Sequence, residues 1–140
     1  MIAIGCDHGG FELKTRIIAY LTEKNIAFKD LGTFDKTSVD YPVYADLVTD
    51  SVLAGECGMG VLVCTTGVGM SMAANRKKGI RAALCENIKT AEMTRLHNDA
   101  NVLCLGQSVV DERTALLILD VFLSAPFSGE QKHIRRIGMY

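Results

Sequence analysis

A cysteine, two threonines and two glycines stand together between Val61 and Ser71, where an apolar run ends. Gly67 and Gly69 let the backbone approach a ligand closely, and successive N–H groups of such a turn can converge on an anion. A thiol at a strand end beside a helix N-terminus has its thiolate form stabilised. The segment therefore predicts that Cys64 is reactive and that the residues after it bind an oxyanion.

Two other interpretations of this segment are open from the residues alone. A nucleotide-binding loop is disfavoured because Met72 stands where the dinucleotide fingerprint requires Gly or Ala, and because no G-K-[ST] sequence completes a P-loop. A tight turn can also require glycine for structural reasons only. Cys6 is the competing candidate for a reactive thiol, since it ends the first apolar run.

Asp7 and His8 follow that first run, at the sheet edge where Cys64 is expected. A carboxylate and an imidazole at this place could bind sugar hydroxyls. The alternative is structural, with Asp7 capping the next helix and His8 bonding to nearby backbone.

His97 belongs to a polar segment, Thr94–Asn101, that joins a predicted helix to the last apolar run. An imidazole can act as a general acid near neutral pH. The alternative is a surface loop held by Asn and Asp turn hydrogen bonds. Because a helix-to-strand connection lies at the sheet edge opposite Cys64, we expect a second subunit to bring His97 to the thiol.

Composition limits the size and class of the protein. Its 140 residues, 49% hydrophobic and 22% charged, suit a single domain spanning 1–140. The formal net charge of -1 favours a small-molecule substrate over nucleic acid or an anionic membrane. No apolar run approaches the roughly 18 residues of a membrane span, and no signal peptide is evident, so we expect a cytoplasmic protein.

The 5 cysteines are odd in number and lack C-x-x-C pairing, which predicts reduced thiols rather than disulfides or a zinc site. The chain also shows no convincing cluster of His and carboxylate ligands. We therefore expect neither a metal nor a cofactor.

Short apolar runs alternate with longer amphipathic segments, and these elements must position the reactive groups. The runs lack polar alternation, as expected of parallel strands buried on both faces. They are Met1–Cys6, Ile26–Leu31, Met59–Cys64, Ile80–Cys85 and Asn101–Leu105. Helices are predicted between them, among others from Asp40 to about Ala54 and after Asp111. The alternation predicts an α/β fold, doubly wound around a five-stranded parallel sheet.

Taken together, these segments resemble the family that unites type B ribose-5-phosphate isomerase with the galactose-6-phosphate isomerase subunits. The resemblance covers essentially the whole chain. Its motifs are Gly5–His8 with Gly10–Lys14, Val39–Pro42, Cys64–Ser71 with Ala73–Arg76, Gly79–Ala83, and His97–Val102. The presence of both Cys64 and His97 makes the resemblance closest to the ribose type, and Cys64 argues against a catalytically silent subunit.

The resemblance implies a Rossmann-like three-layer sandwich, assembled as a homodimer or homotetramer with active sites shared between subunits. It implies an aldose–ketose isomerase that interconverts ribose 5-phosphate and ribulose 5-phosphate in the pentose phosphate pathway. A phosphohexose such as allose 6-phosphate or galactose 6-phosphate is the alternative substrate. The basic C-terminal segment, residues 126–140, is expected to dock on a partner subunit.

The resemblance also implies roles for individual residues. Cys64 would be the base for the carbon-bound proton, Thr66 would assist proton movement at the sugar oxygens, and His97 would open the furanose ring. Backbone N–H groups would stabilise the enediolate along Thr65, Thr66, Gly67, Val68 and Gly69. Sugar contacts are implied for Asp7, His8, Tyr41 and Asn98, and phosphate contacts for Lys132 and Arg136.

Three positions depart from the family pattern. Lys132 and Ser108 stand where arginines are usual, and neither side chain grips two phosphate oxygens as a guanidinium does. Thr65 stands where glycine usually follows the cysteine, and it adds a side chain to the loop. We therefore expect a complete catalytic set with altered phosphate contacts.

Overall fold

A computed structural model describes all residues from 1 to 140. At its centre is a parallel five-stranded sheet in the order β2-β1-β3-β5-β4. The strands are β1 (Ile2–Cys6), β2 (Phe28–Asp30), β3 (Met59–Cys64), β4 (Ala82–Leu84) and β5 (Val102–Gly106). The predicted α/β fold with a five-stranded parallel sheet is confirmed.

Helices cover both faces of this sheet and complete three layers. They are α1 (Phe11–Glu23), α2 (Tyr41–Leu53), α3 (Val68–Ala74), α4 (Ile88–Asn98), α5 (Glu112–Ser124) and α6 (Gln131–Ile137). Helix α1 buries Leu13, Ile17 and Leu21, whose spacing places them on one face. No helix combines the length and the apolar composition that a membrane crossing requires.

The two faces of the sheet bury separate apolar clusters. Because successive side chains of a strand alternate, β3 sends Val61 and Val63 to one cluster and Leu62 and Cys64 to the other. The first cluster contains residues of α1 and α5, and the second contains residues of α2 and α3. Cys64 therefore faces the α2–α3 layer, whereas Cys6 faces the α1–α5 layer.

Some element bounds differ from the sequence expectations. The edge strands β2 and β4 are shorter than predicted, because an edge strand has only one neighbour to hold it in the ladder. Asp40 precedes α2 but makes no side-chain capping hydrogen bond. The segment expected to be a loop from Thr94 onward is helical through Asn98, and α4 stops at Asp99, which adopts a left-handed conformation with φ 46°. His97 thus occupies the last turn of α4.

Candidate active site

The carboxyl ends of β1 and β3 form the candidate site. These strands are neighbours, yet the chain leaves β1 toward β2 on one side and leaves β3 toward β4 on the other. Ligands of doubly wound sheets bind at such a switch point. The turn after β1 and the loop after β3 lie against each other there, since a Cβ atom on Gly9 would lie 2.1 Å from Thr65 Oγ1.

Cys64 ends β3 and is 5% exposed beside this crevice. Its Sγ accepts a hydrogen bond from the Gly67 backbone N–H at 3.1 Å. Gly67 has φ 78°, and a Cβ atom there would lie 2.5 Å from Leu84 Cδ1, so close packing holds this N–H in place.

Three of the other cysteines, Cys6, Cys85 and Cys104, are buried in settings that raise the pKa of the thiol. Burial raises the pKa of Cys6 to about 12 and the pKa of Cys85 to about 11. Burial also raises the pKa of Cys104. Cys57 precedes β3 and therefore lies at the opposite edge of the sheet. The geometry thus favours Cys64 over its competitor Cys6 as the reactive thiol.

The backbone after Cys64 offers N–H groups that have no acceptor within the chain. The amides of Thr65, Thr66 and Gly69 donate to no protein atom, whereas the Val68 N–H is directed at Thr66 Oγ1 at 3.4 Å. Unpaired amide donors beside a thiol suit the binding of an oxyanion.

Asp7 and His8 lie in the turn after β1 and are partly engaged in local structure. Asp7 Oδ1 accepts hydrogen bonds from the Gly9 N–H at 2.9 Å and the Gly10 N–H at 3.1 Å. His8 Nδ1 accepts one from the Val39 N–H at 3.2 Å. These are the contacts of the structural alternative, and they leave Asp7 Oδ2 and His8 Nε2 without a hydrogen bond inside the chain.

Tyr41 begins α2 and lies directly on the loop. A Cβ atom on Gly69 would lie 2.7 Å from Tyr41 Cζ, so only glycine leaves room for the ring. This edge of the sheet therefore gathers Asp7, His8 and Tyr41 around Cys64 and residues 65–69.

The other predicted site residues lie at the opposite edge of the sheet. They are His97 and Asn98 at the end of α4, and Lys132 and Arg136 on α6. Helix α4 leads into the start of β5, which lies beside Gly60, whereas the end of β5 lies beside Cys64. A rise of about 3.3 Å per residue separates these levels by roughly 13 Å along the strands. One chain does not bring His97 to Cys64, in agreement with the expectation above.

His97 stacks on His133 of α6, with ring centroids 4.4 Å apart and ring planes inclined by 16°. His133 is buried, and its Nε2 has no hydrogen-bond partner, with Glu130 Oε1 at 3.9 Å. Burial, and after it the nearby His97, hold the pKa of His133 below its ordinary value. The Ser128 N–H also donates to the Leu96 carbonyl at 3.1 Å. The C-terminal segment thus packs on its own chain, and its docking on a partner stays a prediction.

Asp99 holds the end of α4 that carries His97. Its carboxylate lies 3.0 Å from Arg95 Nη1 and 3.1 Å from Arg81 Nη2. Arg95 Nη1 also donates to the Ala100 carbonyl at 2.6 Å. These contacts fix the direction in which the chain leaves the helix.

His133 is absent from the site residues predicted from the sequence, although it lies between Lys132 and Arg136. The available signal was that it is one of only 3 histidines. Its contact with His97 joins two helices distant in sequence, which no local pattern reveals. Lys132 pairs with Glu130 at 2.8 Å, whereas Arg136 is exposed. No group of three or more His, Cys, Asp or Glu side chains is placed to hold a metal ion.

A thiol and unpaired amides at the switch point of a doubly wound sheet are features typical of a small-molecule site in an α/β enzyme. Residues 2–140 match the family Ribose/Galactose Isomerase. The chain belongs to this family, and it is an enzyme of the sugar-phosphate isomerase class.

Individual relatives agree with this assignment. Ribose-5-phosphate isomerase B of Escherichia coli (strain K12) is 45% identical over 136 residues, which cover 97% of this chain and 91% of that protein. The structure of Clostridium thermocellum ribose-5-phosphate isomerase B matches with a TM-score of 0.97 and 46% identity, over 99% of this chain and 93% of the other. A ribose 5-phosphate isomerase of Thermotoga maritima matches with a TM-score of 0.97 and 48% identity, over 99% and 94%. The resemblance inferred from the motifs is confirmed.

Proposed function

We propose that this enzyme interconverts ribose 5-phosphate and ribulose 5-phosphate through an enediolate, with Cys64 as the base. The observation that carries the proposal is the 3.1 Å hydrogen bond from the Gly67 N–H to Cys64 Sγ, beside loop amides that have no acceptor in the chain. Removal of a proton next to a carbonyl requires such a base together with donors for the developing oxyanion. The names of the Escherichia coli and Clostridium thermocellum relatives support ribose 5-phosphate as the substrate.

The proton balance follows from the aldose–ketose reaction. The Cys64 thiolate removes the proton on C2 of the open-chain aldose, and the electron pair forms a C1–C2 double bond while negative charge moves onto O1. Thr66 assists transfer of the O2 proton to O1. The thiol then returns its proton to C1 as O2 becomes the ketone. The amides of Thr65, Thr66 and Gly69, which have no acceptor within the chain, stabilise the enediolate charge, so the scheme requires no metal.

In this scheme His97 opens the furanose ring, and it comes from a second copy of the chain because its own Cys64 lies at the other edge. An apolar surface beside the crevice supports a homodimer or homotetramer. Val43 and Leu47 of α2 and Val68 and Met72 of α3 are 55%, 44%, 41% and 67% exposed. Clustered apolar side chains of this kind mark protein contacts.

The remaining contacts complete a site shared by two copies. Asp7, His8 and Tyr41 would contact the sugar from one copy and Asn98 from the other. Arg136, with a smaller contribution from Lys132, would bind the phosphate. This activity would serve cytoplasmic pentose phosphate metabolism.

Exchange of the substrate's carbon-bound hydrogen with heavy water, followed by NMR alongside turnover, tests the base. Cys64→Ala should fold and bind a phosphorylated sugar, yet lose on the order of a thousandfold in both rates because proton transfer lacks its base. Cys64→Ser should be little better, since an alcohol supplies almost no anion at neutral pH.

Cys6→Ser and Cys104→Ala are the matched controls, and their activity should fall only as far as their stability does. Near-normal exchange in folded Cys64→Ala, or its loss in folded Cys6→Ser, would assign the base to another residue. A panel of phosphopentoses and phosphohexoses tests the substrate. A higher kcat/KM for allose 6-phosphate or galactose 6-phosphate would replace ribose 5-phosphate while keeping the mechanism.

A further inference from the structure

Ser108, in the turn after β5, contacts Thr65 of the loop that follows Cys64. The Ser108 hydroxyl donates to the Thr65 carbonyl oxygen at 2.7 Å. The Ser108 backbone N–H donates to the same oxygen at 2.9 Å. Two donors from one residue therefore hold a single carbonyl of the loop.

These two bonds determine the direction of the Thr66 N–H. The only cis peptide bond of the chain is Gly32–Thr33, so the Thr65–Thr66 bond is trans, and its carbonyl and N–H point to opposite sides. With the carbonyl held by Ser108, the N–H faces away from the turn after β5, toward the open side of the loop. This N–H has no acceptor within the chain.

The turn that carries Ser108 is itself firmly anchored. The Gln107 N–H donates to the Cys64 carbonyl at 2.9 Å, which ties the turn to the end of β3. Gln107 Oε1 accepts from the Leu13 N–H at 2.9 Å, which ties it to α1. Ser108 thus holds the loop from a fixed support rather than from a free surface segment.

We propose that Ser108 is a positioning residue of the isomerase: its hydroxyl holds the Thr65 carbonyl so that the Thr66 N–H points at the enediolate oxygen. The inference rests on the enediolate reaction proposed above. The hydroxyl proton of Ser108 is engaged by a backbone oxygen, and the side chain carries no positive charge, so it serves the oxyanion rather than the phosphate. An orienting contact of this kind acts on the transition state and leaves ground-state binding largely unchanged.

Kinetics of Ser108→Ala with ribose 5-phosphate provide the first measurement. Loss of one net hydrogen bond should lower kcat about three- to tenfold and leave KM within about twofold. A phosphorylated hydroxamate analogue of the enediolate should bind more weakly by the same factor. Ser108→Thr keeps the hydroxyl, so its kcat should stay near that of the wild type. Ser124→Ala is the matched control, because Ser124 Oγ also donates to a backbone carbonyl, that of Asp120 at 2.7 Å, but on α5.

A raised KM at unchanged kcat would overturn the proposal, because it would make Ser108 a substrate-binding residue. Unchanged kinetics, or an equal loss in Ser108→Thr and Ser108→Ala, would also overturn it. Urea unfolding verifies that the variants fold, and Ser108→Cys, a weak donor of similar size, replaces Ser108→Ala if that variant does not. Binding of the analogue is also compared in the Cys64→Ala background. That comparison tests Ser108 even if another residue proves to be the base.

Discussion

The two edges of the sheet hold their site residues by different means. At the carboxyl edge, backbone groups supply most of the contacts, since the Gly67 N–H contacts Cys64 Sγ at 3.1 Å and backbone N–H groups of the turn after β5 hold the loop, with the Ser108 hydroxyl as one added side-chain contact. At the amino edge, side chains fix His97 through its stack on His133 and through the ion pairs of Asp99. The thiol and the loop of residues 65–69 are therefore positioned by contacts within one folded chain. The position of the histidine depends on how α6 packs against α4.

The largest expected effect is the recovery of activity when two inactive variants are mixed, which tests whether the two edges of the sheet meet across a subunit contact. Cys64→Ala and His97→Ala should each be nearly inactive, and mixing them with subunit exchange should regenerate intact sites. Random pairing in a dimer gives mixed dimers in half of the cases, each with one intact site, so about one quarter of wild-type activity should return. Turnover of ribose 5-phosphate before and after mixing provides the measurement.

Subunit exchange itself must be verified, for example by mass spectrometry of differently labelled chains. Mixing Cys64→Ala with a Cys64→Ala, His97→Ala double variant is the control, because no intact site can form. No recovery despite complete exchange would show that the two edges do not share a site.

A smaller effect is expected when either of two cations in the C-terminal segment, Arg136 or Lys132, is removed. Arg136→Ala should raise KM with little change in kcat, by a factor equivalent to about 1–3 kcal/mol, because a charged hydrogen bond to phosphate is lost. Lys132→Ala should have less effect, since its ammonium is a point charge that already pairs with Glu130 at 2.8 Å. Steady-state kinetics of both variants measure these changes in KM and kcat. Unchanged KM and kcat in Arg136→Ala would remove this residue from the site.

The smallest effect concerns the stability of the amino edge at acidic pH. The pKa of His133 lies below the ordinary 6.5, because burial and then His97, Lys132 and Arg136 oppose its charge, while Glu130 favours it. The unfolded chain therefore binds this proton more readily than the folded chain. Stability should fall as the pH drops below about 6.5.

His133→Phe keeps an aromatic ring against His97 but cannot titrate. Its midpoint of urea unfolding should decrease less than that of the wild type between about pH 7.5 and about pH 5.5. Equal decreases in the two proteins would show that His133 does not contribute to this pH dependence.

Strands β1, β3 and β5 could be predicted from the sequence with bounds close to those observed. Their residues are apolar on both faces, a pattern that buried parallel strands produce and that amphipathic helices do not. Since carboxyl ends of parallel strands meet at one edge, the grouping of Asp7, Cys64 and the following loop also follows from the chain alone. The family could be recognised because these motifs recur at fixed separations.

The choice between Cys6 and Cys64 required the tertiary structure. Both cysteines end a buried strand, and a strand that is apolar on both faces does not reveal which face each residue occupies. Only the packed sheet shows Cys6 against the α1–α5 layer with its pKa raised to about 12, and Cys64 under a backbone donor. The end of α4 also required the tertiary structure, since the helix continues through Asn98 and Asp99 at its C-cap pairs with Arg81 and Arg95.

The sequence by itself thus determined the sheet, its carboxyl edge and the placement of the loop after Cys64, since these depend on local composition and on the regular alternation of strands and helices. Only the tertiary structure decided that His133 covers His97 and that Ser108 holds the Thr65 carbonyl. Each of these contacts joins residues that are far apart in the chain and belong to different elements. Which residues meet depends on how the layers pack, and no periodic pattern in the sequence shows that packing.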